Sequence, residues 1–238
     1  IGYLNSKGIV KNTSLDRFNI RLVGAFDIFS WLSMDVSATL STNTSYLKES
    51  GLSTITSPIY TALAKSPLLN PYVYDDNGDK IETIDEVKEF GISNPTAAIE
   101  LFQGKSKNYR FIGSIVLNGD ITKSLKFKSV MGLNSNNLKE YVFIPDQGFG
   151  LQYNNEVFNL TKAQNSNLLS FYNDNQMFIT KQFNAVHSLY ASVGLRWQTT
   201  QYDIDNGIGK NTASDFYTNL NRGTIQPDFD KPWPHPVS

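Results

Sequence analysis

Apolar and polar residues alternate along three stretches of the chain. In the first, Phe18, Ile20, Leu22, Phe26 and Ile28 are separated by Asn19, Arg21 and Asp27. A period of two places each set on one face of a β-strand. Phe29-Ser30-Trp31 reads as a tight connection. Beyond it, Leu32, Met34, Val36, Ala38 and Leu40 alternate with Ser33, Asp35, Ser37, Thr39 and Ser41. The apolar positions are even on both sides of the turn, so both strands direct their apolar face the same way, as a hairpin requires. The second stretch repeats the plan on odd positions: Phe111, Ile115, Leu117 and Ile121, a turn at Thr122-Lys123-Ser124, then Leu125, Phe127, Met131 and Leu133. The third runs through Met177 and Ile179, a predicted turn at Thr180-Lys181-Gln182, then Phe183, Ala185, Leu189, Ala191, Val193, Leu195 and Trp197.

The turns resemble one another. Asp27-Ile28-Phe29-Ser30-Trp31-Leu32-Ser33-Met34 matches Asp120-Ile121-Thr122-Lys123-Ser124-Leu125-Lys126-Phe127, and Ile179-Thr180-Lys181-Gln182-Phe183 is a shorter copy. The copies are about 93 and about 58 residues apart, so a solenoid of constant period is excluded and hairpins on variable loops fit. Several strands are predicted to run to roughly 12 residues, against about 5–6 for an ordinary strand. Short turns alternate with long connections near 43–108 and 137–168. That is the plan of an outer-membrane barrel, whose backbone hydrogen bonds must all be satisfied between strands. The fold class expected is all-β: an antiparallel meander of long hairpins, part of a large transmembrane β-barrel, with short helices in long loops.

Within those loops Asn94 and Pro95 form a helix start, as N-cap and first position. Thr83 to Phe90 is predicted as another short helix, and Asp75-Asp76-Asn77-Gly78-Asp79 as a turn. Pro227, Pro232, Pro234 and Pro236 exclude a central paired strand over 226–238.

Composition narrows the function. The 238 residues are 40% hydrophobic and 18% charged, so the chain is not disordered by composition. A net charge of −1 gives no electrostatic case for nucleic acid. There are no cysteines, which excludes disulfides and thiol-based metal or redox sites. No run of 18 apolar residues is present to make a membrane helix. Ile1-Gly2-Tyr3-Leu4 reads as the middle of a strand, and both ends are expected to lie inside a longer protein.

Catalytic chemistry finds no support. His187 falls on the apolar face of a predicted strand and His235 in the proline-rich tail, and no nucleophile elbow, phosphate loop or zinc spacing is present. No catalytic residue is assigned and no enzyme is expected. Asp75, Asn77, Asp79 and Glu86 have the spacing of the first, third, fifth and twelfth ligands of a Ca2+ loop, but Lys80 stands where that loop needs glycine. A polar turn is the favoured reading and Ca2+ the other. Tyr72, Tyr74 and Phe90 offer flat surfaces for a sugar or peptide ligand, against the reading of loop packing. Phe29, Trp31 and Trp197 suit a membrane-interface girdle. The small residues Gly24, Gly113, Gly119, Ala38 and Ala191 would leave gaps against a second sheet, whereas acyl chains fill them. Arg21, Asp35, Arg110, Lys126, Lys128 and Arg196 fall on the opposite face and suit a wet barrel interior, which Val23, Ile112, Val116 and Val130 interrupt.

Leu15-Asp16-Arg17-Phe18-Asn19-Ile20-Arg21-Leu22 with Trp31-Leu32-Ser33-Met34 resembles barrel hairpins of the SusC/RagA family of TonB-dependent outer-membrane transporters. Ser66-Pro67-Leu68-Leu69-Asn70-Pro71-Tyr72, Asn94-Pro95-Thr96-Ala97-Ala98 and Asp215-Phe216-Tyr217 also resemble that family. The resemblance covers 1–222, read as a partial barrel with its extracellular loops; 223–238 is a proline-rich divergent tail. It implies a place in the outer membrane of a Gram-negative cell and a role in glycan or peptide uptake. It also implies a SusD-like surface lipoprotein as lid, TonB engaged through parts of the parent outside this segment, outer-membrane lipid around it, and an oligosaccharide or peptide ligand. The competing reading is a soluble β-rich carbohydrate-binding module, with the apolar faces packed as a sandwich.

Overall fold

The computed structural model describes residues 1–85, 91–149, 157–218 and 224–226. In chain order the elements are β1 (Gly2–Lys7), β2 (Ser14–Phe29), β3 (Leu32–Tyr46), α1 (Pro58–Ala64), β4 (Tyr72–Tyr74), β5 (Lys80–Ile84), α2 (Pro95–Glu100), β6 (Gln103–Asp120), β7 (Leu125–Ile144), β8 (Leu160–Gln182), β9 (Ser188–Lys210) and β10 (Thr224–Gln226). One antiparallel eight-stranded sheet runs β1-β2-β3-β6-β7-β8-β9-β10, and β4 pairs with β5 in a separate hairpin. The predicted all-β meander is the observed architecture. β10, at the start of the proline-rich stretch, pairs Gln226 with Ile208 of β9.

Register carries the alternation across the sheet. Leu22 pairs with Ala38 and Phe26 with Met34; Ala38 pairs with Gly113 and Met34 with Leu117; Gly113 pairs with Leu133; Leu133 pairs with Phe171 and Phe127 with Met177; Met177 pairs with Val193. Even positions of β2 and β3 and odd positions of β6 to β9 therefore share one face. Val23, Ile112, Val116 and Val130 lie on the other, where Val116 and Val130 pair directly.

The strands are longer than predicted. β2 and β3 have 16 and 15 residues, β6 and β7 have 18 and 20, and β8 and β9 have 23 each. The alternation stops short of the strand ends because the segments nearest the long loops are polar on both faces, as in Asn134-Ser135-Asn136-Asn137. The connections are correspondingly shorter, covering 47–102 and 145–159. The third turn also differs. β8 runs on through Thr180-Lys181-Gln182, and the reversal comes at 183–187. There Asn184 Oδ1 accepts from Val186 N at 2.9 Å and His187 N at 2.7 Å, and Phe183 N donates to His187 O at 2.9 Å. His187 accordingly sits in the turn and not on a strand face. Phe183 and Ala185 keep the odd parity of the strand, which disguises the turn.

The predicted helix over Thr83 to Phe90 is replaced at its start by strand β5. The Asp75–Asp79 turn folds this β-branched segment back on Tyr72–Tyr74. Residues 86–90 lie outside the described residues. The helix start at Asn94 is as predicted: its Oδ1 accepts from Thr96 N at 2.9 Å, with Pro95 in the first turn. α1 is built the same way from Ser57 and Pro58.

The buried core lies where the long loops meet the loop end of the sheet, not across the sheet's apolar face. Ile84, Ala97, Ala98, Phe102, Ile144 and Phe149 form it, with Ile55, Tyr72, Val142 and Leu160 packed around them. Among the described residues no second sheet covers the apolar face of the main sheet, so the sandwich packing of the competing reading is not formed.

Candidate functional site

The sheet has two unlike faces, and the geometry of the apolar one is informative. Leu22 is 65% exposed, Val193 69% and Leu195 73%. A contiguous apolar surface of this extent marks a membrane or an interface. On β2 the apolar run goes from Phe18 to Ile28, ten residue steps; on β9 it goes from Leu189 to Trp197, eight steps. The two runs are not level. Traced through the pairings, the middle of the β9 run lies about two and a half side-chain rows nearer the short turns than the middle of the β2 run. At about 6.6 Å per row, and about 24 Å across the five strand spacings, the band crosses the strands with a slope of about 35°. A level membrane meeting strands tilted by that angle produces such a slope, and about 35–45° is the tilt of barrel strands. With this tilt the two runs are about 22–27 Å tall, against about 25 Å for the apolar band of a membrane barrel.

Aromatic residues flank the band. At the short-turn edge Phe29 and Trp31 stack at 5.9 Å with an interplanar angle of 7°. At the other edge Phe171 and Trp197 meet edge to face at 5.2 Å. Trp197 thus marks the rim of the band and not the end of its strand. Two of the small residues accommodate rings. A Cβ on Gly24 would meet Phe26 Cε2 at 2.9 Å, and one on Gly113 would meet Phe111 Cζ at 3.0 Å. Three polar side chains interrupt the band. Ser129 Oγ donates to Asn175 Oδ1 at 2.7 Å, and Asn175 Nδ2 donates to Asn173 Oδ1, so the group satisfies itself. No helix of the described residues is long and apolar enough to cross a membrane.

The opposite face is polar. Arg196 Nε donates to Asp174 Oδ2 at 2.8 Å, Lys126 pairs with Asp120 at 3.1 Å, and Ser37 and Ser114 bond at 2.8 Å. Higher up, a cavity of about 260 Å3 is lined by Arg17, Asn19, Asn43, Asn108, Arg110 and Ile112 among others.

Connections at the two ends of the sheet differ. One end has only the tight turns at 30–31, 121–124 and 183–187. The other carries an ordered loop assembly. Asn94 is its hub: besides capping α2, its Nδ2 donates to Pro71 O at 2.8 Å and Asp85 O at 3.0 Å, and its backbone N–H to Gly148 O at 3.1 Å. Gly148 has φ of +79°, and a Cβ there would fall on Ala97. Asp215 ties in the segment after β9, accepting from Asp146 N at 3.1 Å, Gln147 N at 3.2 Å and Asn159 Nδ2 at 3.1 Å. Tyr141 Oη and Thr161 Oγ1 both donate to Thr218 O, the first at 2.5 Å. Burial pushes the Tyr141 hydroxyl above its ordinary pKa, partly opposed by the Thr218 hydrogen bond, and burial pulls the Lys48 amine below its own.

The aromatic and acidic residues singled out from sequence sit in this assembly. Tyr72 and Tyr74 are in β4. Tyr72 is half-buried; its hydroxyl donates to Glu100 Oε1 at 2.9 Å and Lys80 Nζ lies 3.3 Å from its ring centroid. Tyr74 is 46% exposed. Phe90 lies outside the described residues, as does Glu86. Asp75, Asn77 and Asp79 form the predicted turn, in which Asp75 Oδ1 accepts from Asn77 N at 3.0 Å and Asp79 N at 2.7 Å, with Gly78 at φ +84°. The hub role of Asn94, the Asp215 clamp and the Phe149 core position carry no local sequence signal beyond the Asn-Pro pair, because their partners are remote in sequence.

No family model matches the sequence, and no curated protein matches it. Solved structures match the fold. The RagAB peptide importer in its closed-closed state superposes with a TM-score of 0.69 at 16% identity over 93% of this chain. The same importer in its open-open state gives 0.68, and a further structure of the RagAB peptide transporter 0.69, both again at 16% identity. The chain spans 24% of the length of each of these matched chains, so its fold is that of a part of a larger one.

Proposed function

We propose that this chain is a wall segment of an outer-membrane nutrient importer of the TonB-dependent type, with its apolar face against lipid and its polar face toward a barrel interior. The observation that carries the reading is the slope of the apolar band. A membrane imposes that angle on a tilted barrel, and among the described residues no second sheet crosses the band to account for it. The likeness to chains of a peptide importer supports the same reading and favours a peptide over an oligosaccharide as ligand. In this arrangement the short turns face the periplasm and the loop assembly faces outward, where a SusD-like surface lipoprotein would close over it and exposed Tyr74 offers ligand contact area. TonB would act through other parts of the parent protein. No catalysis is assigned.

This sequence has no cysteine, and the test uses the intact protein with any cysteine elsewhere replaced by serine. Single cysteines replace Leu195 and Ser192, on opposite faces of β9, in the intact protein reconstituted in vesicles. A fluorophore at Leu195→Cys is expected to be quenched by brominated lipid and one at Ser192→Cys by aqueous quencher alone. Aqueous quenching at both positions overturns the reading.

A further inference from the structure

On the polar face, near the outer rim of the apolar band, three arginines lie close together in register, and among the described residues none has an acidic partner. Arg17 pairs in register with Asn43 and that with Asn108; Asn19 pairs with Ser41 and that with Arg110; Arg21 pairs with Thr39 and that with Ile112. Arg110 is therefore two strands across and two residues along from both Arg17 and Arg21. Strand spacing and rise put its Cα about 12 Å from each, within joint reach of extended arginine side chains. Among the described residues none of the three is ion-paired: on this face Asp120 and Asp174 pair with Lys126 and Arg196, and Asp27, Asp35 and Glu140 form no ion pair with the three arginines. Arg17 Nε donates to Asn43 Oδ1 at 3.1 Å, and Ser41 Oγ to Asn19 Oδ1 at 2.6 Å, which leaves both amide NH2 groups as further donors.

The cavity of about 260 Å3 between Arg17 and Arg110 thus presents permanent positive charge and amide donors. Guanidinium groups stay protonated and match a carboxylate in a forked, two-bond geometry. A carboxylate ligand would accept from these donors and neutralise the charge. We propose that this cavity binds the carboxylate of an acidic peptide on its way through the barrel interior. The inference rests on the preceding assignment of the polar face to the interior, and on the peptide as ligand class.

The experiment measures fluorescence anisotropy of a labelled Asp/Glu-containing peptide and its Asn/Gln isostere on the intact, detergent-extracted protein. The wild type is expected to bind the acidic peptide roughly 10–100-fold more tightly, the range set by charge-assisted hydrogen bonds. R17Q/R110Q should reduce that preference to within about threefold while leaving isostere binding unchanged, and R17K/R110K should retain part of it. Equal binding of the two peptides by the wild type, or a preference that survives in R17Q/R110Q, overturns the inference. The lipid-quenching label at Leu195→Cys is read on the same variants. A label in lipid without acid preference removes this inference alone, whereas a label in water removes the barrel reading with it.

Discussion

Val193 stands at the middle of the β9 apolar run and is 69% exposed on the apolar face. Its replacement by arginine separates lipid from water as the medium on that face. In water, an arginine at such an open position changes stability by about 0.5 kcal/mol or less. At the midplane of a bilayer the same change on the lipid face of a barrel costs about 2–4 kcal/mol. That is a shift of about 30- to 700-fold in the folding equilibrium. Depth supplies the internal control. Gln201 is on the same face of the same strand, eight residues toward the loops, or about 22 Å along the barrel axis at a 35° tilt. Gln201→Arg lies beyond the Trp197 rim and is expected to cost about 0–1 kcal/mol. The assay is reversible urea unfolding of the intact protein in vesicles, followed by tryptophan fluorescence. A difference in midpoint at constant slope gives the two costs directly. Val193→Arg within about 0.5 kcal/mol of Gln201→Arg would refute the placement of this face in lipid.

The loop assembly yields two further tests. Asn94→Ala removes the α2 cap and leaves the Pro71 and Asp85 carbonyls without their shared donor, so a local loss of about 2–3 kcal/mol is expected. It is read as faster hydrogen exchange at the Ala98 and Leu101 amides; Asn94→Ser, which restores the cap alone, should recover about 1 kcal/mol. Tyr141 is held in its neutral form by burial, with its folded pKa above the ordinary 10.0. Its contribution is therefore complete below pH 10.0 and is lost as pH rises through the folded value, when the hydroxyl no longer donates to Thr218 O. Proteolysis within 211–218 should accelerate over that pH range in the wild type, whereas Tyr141→Phe should cleave at one rate throughout.

How far the sequence reveals this molecule depends on which medium disciplines each residue. Across the band one face of β2 and β3 is apolar, so the period of two in Phe18–Ile28 and Leu32–Leu40 locates both strands, although β3 runs six residues further, to Tyr46. Beyond the rim both faces are polar, the constraint disappears, and the chain from Asn137 reads as loop although β7 continues to Ile144. The same relaxation hides the turn at 183–187, where parity runs on unbroken and only the Asx geometry of Asn184 marks the reversal. Local capping chemistry was readable, because Asn94 and Pro95 act on their own neighbours. The long-range closure of the loops was not: Asp215 binds backbone 68 and 69 residues away, and no short pattern announces such a partner. Parity alone places Arg21 and Arg110 on the polar face, but their proximity to Arg17 is a property of register, since a slip of one residue between β3 and β6 would move Arg110 to the apolar face. The residues of the apolar face therefore announce the fold. Those of the polar face acquire meaning only once the fold has aligned them.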